Sequence, residues 1–269
     1  MRERLDVIHH IAVRATEADI VDLRRFGVAI EAGLTAFDVA ETSPHWDEIR
    51  VWIERRRSVD VVYTRFTDAE LESASWLAMR SAGQAGYPEP NPDDDGYLAA
   101  TYDLSEFCEA CGIGLRQKEP FRFKKDPKLR RTSIRQLNWV FDEYFIHREL
   151  WEAVFRPRGI ERRPVVNIRG AEIDAVVQLV VDATVPIETQ DLPYERCQRC
   201  DRVKYQVIVR GAFPPVAELP KTAMVKTSEW FGSGGRAYRA VLVSQDVRRD
   251  LLSEGARGVH FIPVATSAE

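Results

Sequence analysis

The sequence predicts an α+β fold, with a helix-rich N-terminal region over residues 1–100 and a duplicated knuckle, strand, helix, strand unit over residues 101–269. Three observations carry that expectation. Helix-start signals cluster in the first hundred residues, the four cysteines form two CxxC pairs, and a similar order of strand, helix, glycine and strand follows each pair. With 269 residues, 45% hydrophobic and 30% charged, the chain is long enough to bury a substantial core.

Thr16 caps a first helix with Asp19 three places on, and Ile20, Leu23, Phe26 and Ile30 follow at roughly helical spacing. Ser43-Pro44 opens a second, a capping residue and then a proline at the first helical position, with Trp46, Ile49 and Ile53 on one face. Val59, Val61 and Tyr63 alternate as in a strand. Thr67-Asp68-Ala69-Glu70 is a capping box ahead of Leu71, Ala74, Trp76 and Leu77, which predicts a third helix. Between Gly83 and Gly96, the prolines at 88, 90 and 92 and three consecutive aspartates can continue neither a helix nor a central strand, so this segment reads as a loop or linker.

Cys108-Glu109-Ala110-Cys111 and Cys197-Gln198-Arg199-Cys200 have the spacing of a divided tetrahedral metal site. The tight turn between two thiolates three positions apart points both sulfurs the same way. Gly112 relieves the backbone after the first pair, whereas Asp201 follows the second. The expected occupant is one structural Zn2+ per chain, held by Cys108, Cys111, Cys197 and Cys200. Four thiolates leave no open position, so such an ion serves architecture rather than catalysis. The alternatives are a redox disulfide within one pair and four reduced, unligated, buried cysteines. Because 85 residues separate Cys111 from Cys197, closing the site joins distant segments.

Internal similarity frames the second region. At an offset of 101, Val140, Arg148 and Leu150 fall on Val241, Arg249 and Leu251; at an offset of 99, Gly159, Pro164 and Val165 fall on Gly258, Pro263 and Val264. This predicts duplication of one unit, over about 108–165 and 197–264, each a strand, a helix, a glycine turn and a strand. Phe145, Leu150, Trp151 and Val154 share one helical face, as do Val247, Leu251 and Leu252, so neither half can bury its apolar side alone. Between the halves, Ile173 to Val185 is dense in β-branched residues and predicts a long buried strand, and Tyr205 to Val209 predicts a strand leaving the second pair.

Charge is uneven: the net value of −4 divides into −10 over residues 1–107 and +6 beyond. Between Gln117 and Arg135, Arg122, Lys124, Lys125, Arg130 and Arg131 surround Phe121 and Phe123, a mixture that either grips nucleic acid or forms a solvated loop anchored by its rings, the second being preferred. Trp230-Phe231-Gly232-Ser233-Gly234-Gly235 predicts a hairpin-like loop, with Trp230, Phe231 and the preceding Lys226 as candidate anchors for a protein partner. The five histidines form no ligand pattern, and no nucleophile elbow or paired-carboxylate signature is present, so the expectation is a non-enzyme. The first residues show no signal-peptide pattern and no apolar run reaches spanning length, which predicts a cytoplasmic protein with no membrane partner.

The paired CxxC arrangement, each copy leading to strand, helix, Gly-turn and strand and ending in Val243-Ser244-Gln245, Leu251-Leu252, Gly255-Ala256-Arg257-Gly258-Val259 and Pro263-Val264, resembles the double-CxxCG motif proteins. These are a bacterial group abundant in myxobacteria, some of them immunity proteins for toxins, and the resemblance covers residues 108–264. It implies a zinc-stabilised binding protein that neutralises a toxin, with the four cysteines as ligands. The competing expectation is a zinc-containing nucleic-acid-binding or regulatory protein using residues 116–135. Self-association is not legible in the sequence.

Overall fold

In the computed structural model, which describes residues 5–266, β-structure dominates: 36% strand against 21% helix, arranged in five sheets. This corrects the expected α+β architecture with a helix-rich N-terminal region. Two compact units are present, one holding the residues up to Asp68 together with Ile208–Ala212, the other Ala69–Val207 and the chain from Phe213 on.

The first unit is framed by a sheet. Its elements are β1 (Asp6–Ala15), α1 (Glu17–Arg25), β2 (Gly33–Ala40), α2 (Trp46–Arg56) and β3 (Val59–Arg65), with β1 central and antiparallel to both neighbours. The Thr16 capping box forms as expected, the Thr16 backbone N–H donating to Asp19 Oδ2 at 2.8 Å. Leu23 of α1 and Ile49, Trp52 and Ile53 of α2 bury their apolar faces with Ile11, Val13 and Val39 of the sheet. The two helices are short, at 9 and 11 residues, and are held by that packing rather than by intrinsic propensity.

A polar cluster sits in the same unit. His9, 5% exposed, places Nδ1 2.8 Å from Asp60 Oδ2 and Nε2 3.0 Å from Glu41 Oε1. Arg210 reaches the same Glu41 oxygen at 2.7 Å. The Arg210 hydrogen bond, helped by His9 and opposed by burial, holds the Glu41 carboxyl down to about 2 from an ordinary 4.5. A depressed carboxyl stabilises the fold above its unfolded pKa, and that contribution disappears as pH falls from about 4.5 towards 2. Replacing Glu41 with Gln should therefore flatten the acid limb of the pH–stability curve and remove on the order of 2 kcal/mol at neutral pH, after allowance for partial exposure. Urea unfolding of both proteins between pH 2 and 7 checks this; parallel acid limbs would refute it.

The second unit follows the short helix α3 (Asp68–Ser73). In chain order it holds β4 (Trp76–Ser81), α4 (Gly96–Thr101), β5 (Tyr102–Asp103), β6 (Arg116–Gln117), β7 (Arg122–Phe123), β8 (Ile134–Leu137) and β9 (Val140–His147). Then come α5 (Arg148–Leu150), which runs on as a π turn and a 3-10 turn to Arg158, β10 (Arg162–Asn167), β11 (Glu172–Leu179), β12 (Thr184–Val185) and β13 (Tyr194–Arg196). The chain closes with β14 (Val203–Tyr205), β15 (Met224–Thr227), β16 (Val241–Ser244), α6 (Gln245–Ser253) and β17 (Val259–Pro263). Two five-stranded sheets have the orders β7-β10-β11-β9-β8 and β12-β15-β16-β4-β17, and β5-β6 and β13-β14 form two small hairpins.

Both large sheets contain the same split β-α-β motif. β9 leads through α5 to β10, and β11 lies between these two strands, antiparallel to each. β16 leads through α6 to β17, and β4 fills the same place. The central strand thus follows its motif in the first copy and precedes it in the second. Leu77 and Met79 of β4, Ile146 of β9 and Val177 of β11 join Leu150, Val154, Val247 and Leu251 from the helical segments in one core. The two motifs therefore bury each other's apolar faces, and Tyr144 Oη ties them by donating to the Met79 carbonyl at 2.5 Å.

That arrangement explains a misreading. Trp76 and Leu77 do not extend a third helix, which ends at Ser73; they begin β4, a central strand with Leu77, Ala78 and Met79 all buried. A strand covered on both faces is continuously apolar and loses the alternation that marks a strand in sequence. The long strand expected over 173–185 is likewise split into β11 and β12, and the strand after the second cysteine pair is β14, ending at Tyr205.

Candidate metal centre

Each cysteine pair occupies the turn of a small hairpin. The first lies between β5 and β6, the second between β13 and β14, and two backbone hydrogen bonds recur at corresponding positions in both. The Cys108 N–H donates to the Ile113 carbonyl at 2.9 Å, and the Cys197 N–H to the Arg202 carbonyl at 2.9 Å. Gly112 N–H donates to the Cys108 carbonyl at 2.7 Å, as Asp201 N–H does to Cys197 at 2.8 Å. In both turns the residue after the second cysteine is left-handed, with φ +82° at Gly112 and +62° at Asp201. Asp tolerates that region better than most residues, so the second knuckle keeps its shape without glycine.

The knuckles bring four sulfurs together. Cys108 Sγ lies 3.8 Å from Cys197 Sγ, Cys111 Sγ lies 3.6 Å from Cys200 Sγ, and all four fall within 4.8 Å of one another. A tetrahedral centre with metal–sulfur bonds of about 2.3 Å separates its sulfurs by about 3.8 Å. None of the cysteines is disulfide-bonded. The arrangement is compatible with one structural metal ion bound by Cys108, Cys111, Cys197 and Cys200.

The surroundings fit that donor set. Backbone N–H groups of Ile113 and Arg202 point at Cys111 and Cys200, and Arg202 Nε donates to Cys200 Sγ at 3.3 Å. The Arg202 hydrogen bonds hold the Cys200 thiol down to about 6, while burial pushes the Cys111 thiol up to about 12. A divalent cation removes the conflict by binding all four as thiolates. Ile113 is buried against the sulfurs, with Trp230 and Ala237 packed alongside, which limits access by water.

Lys204, missed in the sequence, is also structural. It is 2% exposed, and its Nζ donates to the carbonyls of Cys111, Gly234 and Arg236 at 3.0, 2.5 and 3.3 Å. It thereby fastens the first knuckle to the 232–236 loop. Only its position, four residues beyond Cys200, links it to the knuckle in sequence.

The other expected site residues are dispersed. Phe231 is not an exposed anchor but is buried at 2% exposure, and Trp230 is half-buried with the Arg239 guanidinium 4.6 Å above its ring. Lys226 is engaged by Glu143 at 2.5 Å. The loop containing Trp230 does turn as a hairpin, with Phe231 and Tyr238 exchanging backbone hydrogen bonds. Arg122 is half-buried and donates to the Ala100 carbonyl at 3.4 Å; Lys124, Lys125, Arg130 and Arg131 are exposed, Arg131 pairing with Glu149. Phe121 and Phe123 pack edge-on against Phe145 in a second apolar cluster. Those rings anchor the loop and are not placed to stack on bases.

No protein-family model matches the chain, and no curated protein matches it. Among the described residues, no helix is long and apolar enough to cross a membrane.

Proposed function

We propose that this is a zinc-stapled, non-enzymatic binding protein of the bacterial cytoplasm, of the immunity type that its double CxxC pattern resembles, acting by binding and neutralising a protein toxin. The observation that carries the reading is the convergence of four cysteine sulfurs from segments 85 residues apart, which uses every position of a tetrahedral ion and leaves none for a substrate. Zinc is the natural occupant of an all-thiolate tetrahedral site, since softer sulfur ligands exclude magnesium and calcium. Iron is another metal that such ligands accept.

Two measurements test the proposal. Elemental analysis of protein purified without added metal should give one zinc per chain; iron at that stoichiometry would replace the zinc assignment. Co-expression with the product of the adjacent gene should give a stoichiometric complex and relieve that product's toxicity. A neighbouring toxin that is neither bound nor neutralised would remove the immunity reading while leaving the metal centre intact.

A further inference from the structure

Beside the first knuckle opens a cavity of about 430 Å³, within the size range of small-molecule sites. Its floor is an ion pair between Glu143 of β9 and Lys226 of β15, 2.5 Å apart, with side chains only 13% and 12% exposed. Gln178 holds it in place, donating to Glu143 Oε2 at 2.7 Å and to Gln117 Oε1 at 2.6 Å, and Gln117 returns a hydrogen bond to Gln178 Oε1 at 2.9 Å. A buried pair of this kind rarely stabilises a fold more than an apolar pair of the same volume would. Its presence on the wall of a cavity is the pattern of a binding site.

Two further cations face this floor. Arg163 lies opposite Gln178 across β10 and β11, so both side chains leave the same face of the sheet. Among the described residues it makes no ion pair or side-chain hydrogen bond, yet it lines the cavity. Arg239 stacks on Trp230, and its Nε is buried with no hydrogen-bond acceptor. Of the nearby acids, Glu143 is taken by Lys226, Asp142 accepts the Arg239 backbone N–H at 3.3 Å and lies 3.9 Å from Lys226, and Glu229 feels the Arg239 charge but accepts its hydrogen bond from the Ile187 backbone N–H. A buried donor left unmade is costly, and a guanidinium fork matches a planar or tetrahedral oxyanion.

We propose that this cavity binds a small molecule carrying a carboxylate or phosphate group, gripped by Arg163 and Arg239, with the Glu143–Gln178 floor accepting hydrogen bonds from the rest of the ligand. The inference is independent of the toxin reading, because it concerns a small molecule and its test needs no protein partner. The test uses the full chain with citrate, L-glutamate and O-phosphoserine as probes, and glucose and spermidine as neutral and cationic controls, read by thermal unfolding and titration calorimetry. At least one oxyanion should bind saturably where the controls do not, and Arg163→Gln or Arg239→Gln should weaken it by about tenfold or more, the scale of a lost charge-assisted hydrogen bond. Metal content measured on each variant shows that the knuckles remain assembled. If no oxyanion probe binds at millimolar concentration, or if both variants bind as tightly as the parent, the proposal fails.

Discussion

The Cys108→Ser protein is expected to lose its metal and, with it, the cooperative unfolding transition of the second unit. The reason is topological as well as chemical. The 85 residues between Cys111 and Cys197 hold β6 to β13, so an ion bound by all four cysteines closes a long loop. Structural zinc sites contribute apparent binding energies of about 10–16 kcal/mol at neutral pH, comparable to the whole stability of an ordinary domain. Even a modest fraction of that exceeds what the cluster of Ile113, Trp230 and Ala237 around the sulfurs can replace. Cys197→Ser should behave in the same way, because each knuckle supplies half of one shell. Elemental analysis, chelator sensitivity and circular dichroism of the three proteins check this. A redox disulfide predicts instead that a reducing agent, and not a chelator, destabilises the parent protein. Serine variants that keep a full complement of metal and an unchanged unfolding midpoint would remove the centre.

The local signals in the sequence succeeded where short-range chemistry decides the outcome. The Thr16 box starts α1, the strand at Val59 is β3, and the proline-rich segment after Gly83 carries no strand of either large sheet. The sulfur cluster was legible for the same reason: a CxxC turn has one economical geometry, and two of them with nothing else thiol-based point at each other. What failed was the weighing of helix against strand. β1 is buried consecutively at Val7, Ile8 and His9 before it alternates at Ile11, Val13 and Ala15, and with His10 and Ala12 in the sequence that alternation of burial is not an alternation of strongly apolar and polar residues. β4 has the same character, and its partners β16 and β17 lie more than 150 residues away, so no local pattern announces it.

The cavity was not legible at all. Arg163, Gln178, Lys226 and Arg239 come from four separate strands or strand ends, and each looks in isolation like an ordinary polar residue in a β-segment. Lys226 stands out in the sequence only as the lysine that precedes the Trp230-Phe231 loop, and the carboxylate that accounts for its burial, Glu143, lies 83 residues earlier. The Glu143 and Asp142 carboxylates hold the Lys226 ammonium raised against a burial effect that would lower it, and burial raises Glu143 itself. Charge pairing across sheets is a property of the register, which a single sequence does not disclose.

The second large effect distinguishes the two knuckles, and it turns on the residue that follows the second cysteine of each. Gly112 and Asp201 occupy the same left-handed position, but their surroundings differ. A Cβ at 112 would lie 2.5 Å from the Gly235 carbonyl oxygen, 2.7 Å from the Ala237 nitrogen and 2.8 Å from the Arg236 carbonyl carbon, all of them backbone atoms. The 232–236 loop cannot yield easily, because Lys204 holds the Gly234 and Arg236 carbonyls together with that of Cys111. Asp201, by contrast, is exposed, with its carboxylate 3.2 Å from Arg196 at the surface. Gly112→Ala should therefore cost about 3 kcal/mol or more, from left-handed strain plus the displaced loop, and weaken metal retention. Asp201→Gly should stay within about 1 kcal/mol of the parent, because relief of its own backbone strain offsets a weak surface pair. Denaturant midpoints and chelator competition on both variants measure the contrast. Equal losses at the two positions would mean that the first knuckle does not bear on the 232–236 loop, and that glycine stands at 112 for its backbone freedom alone.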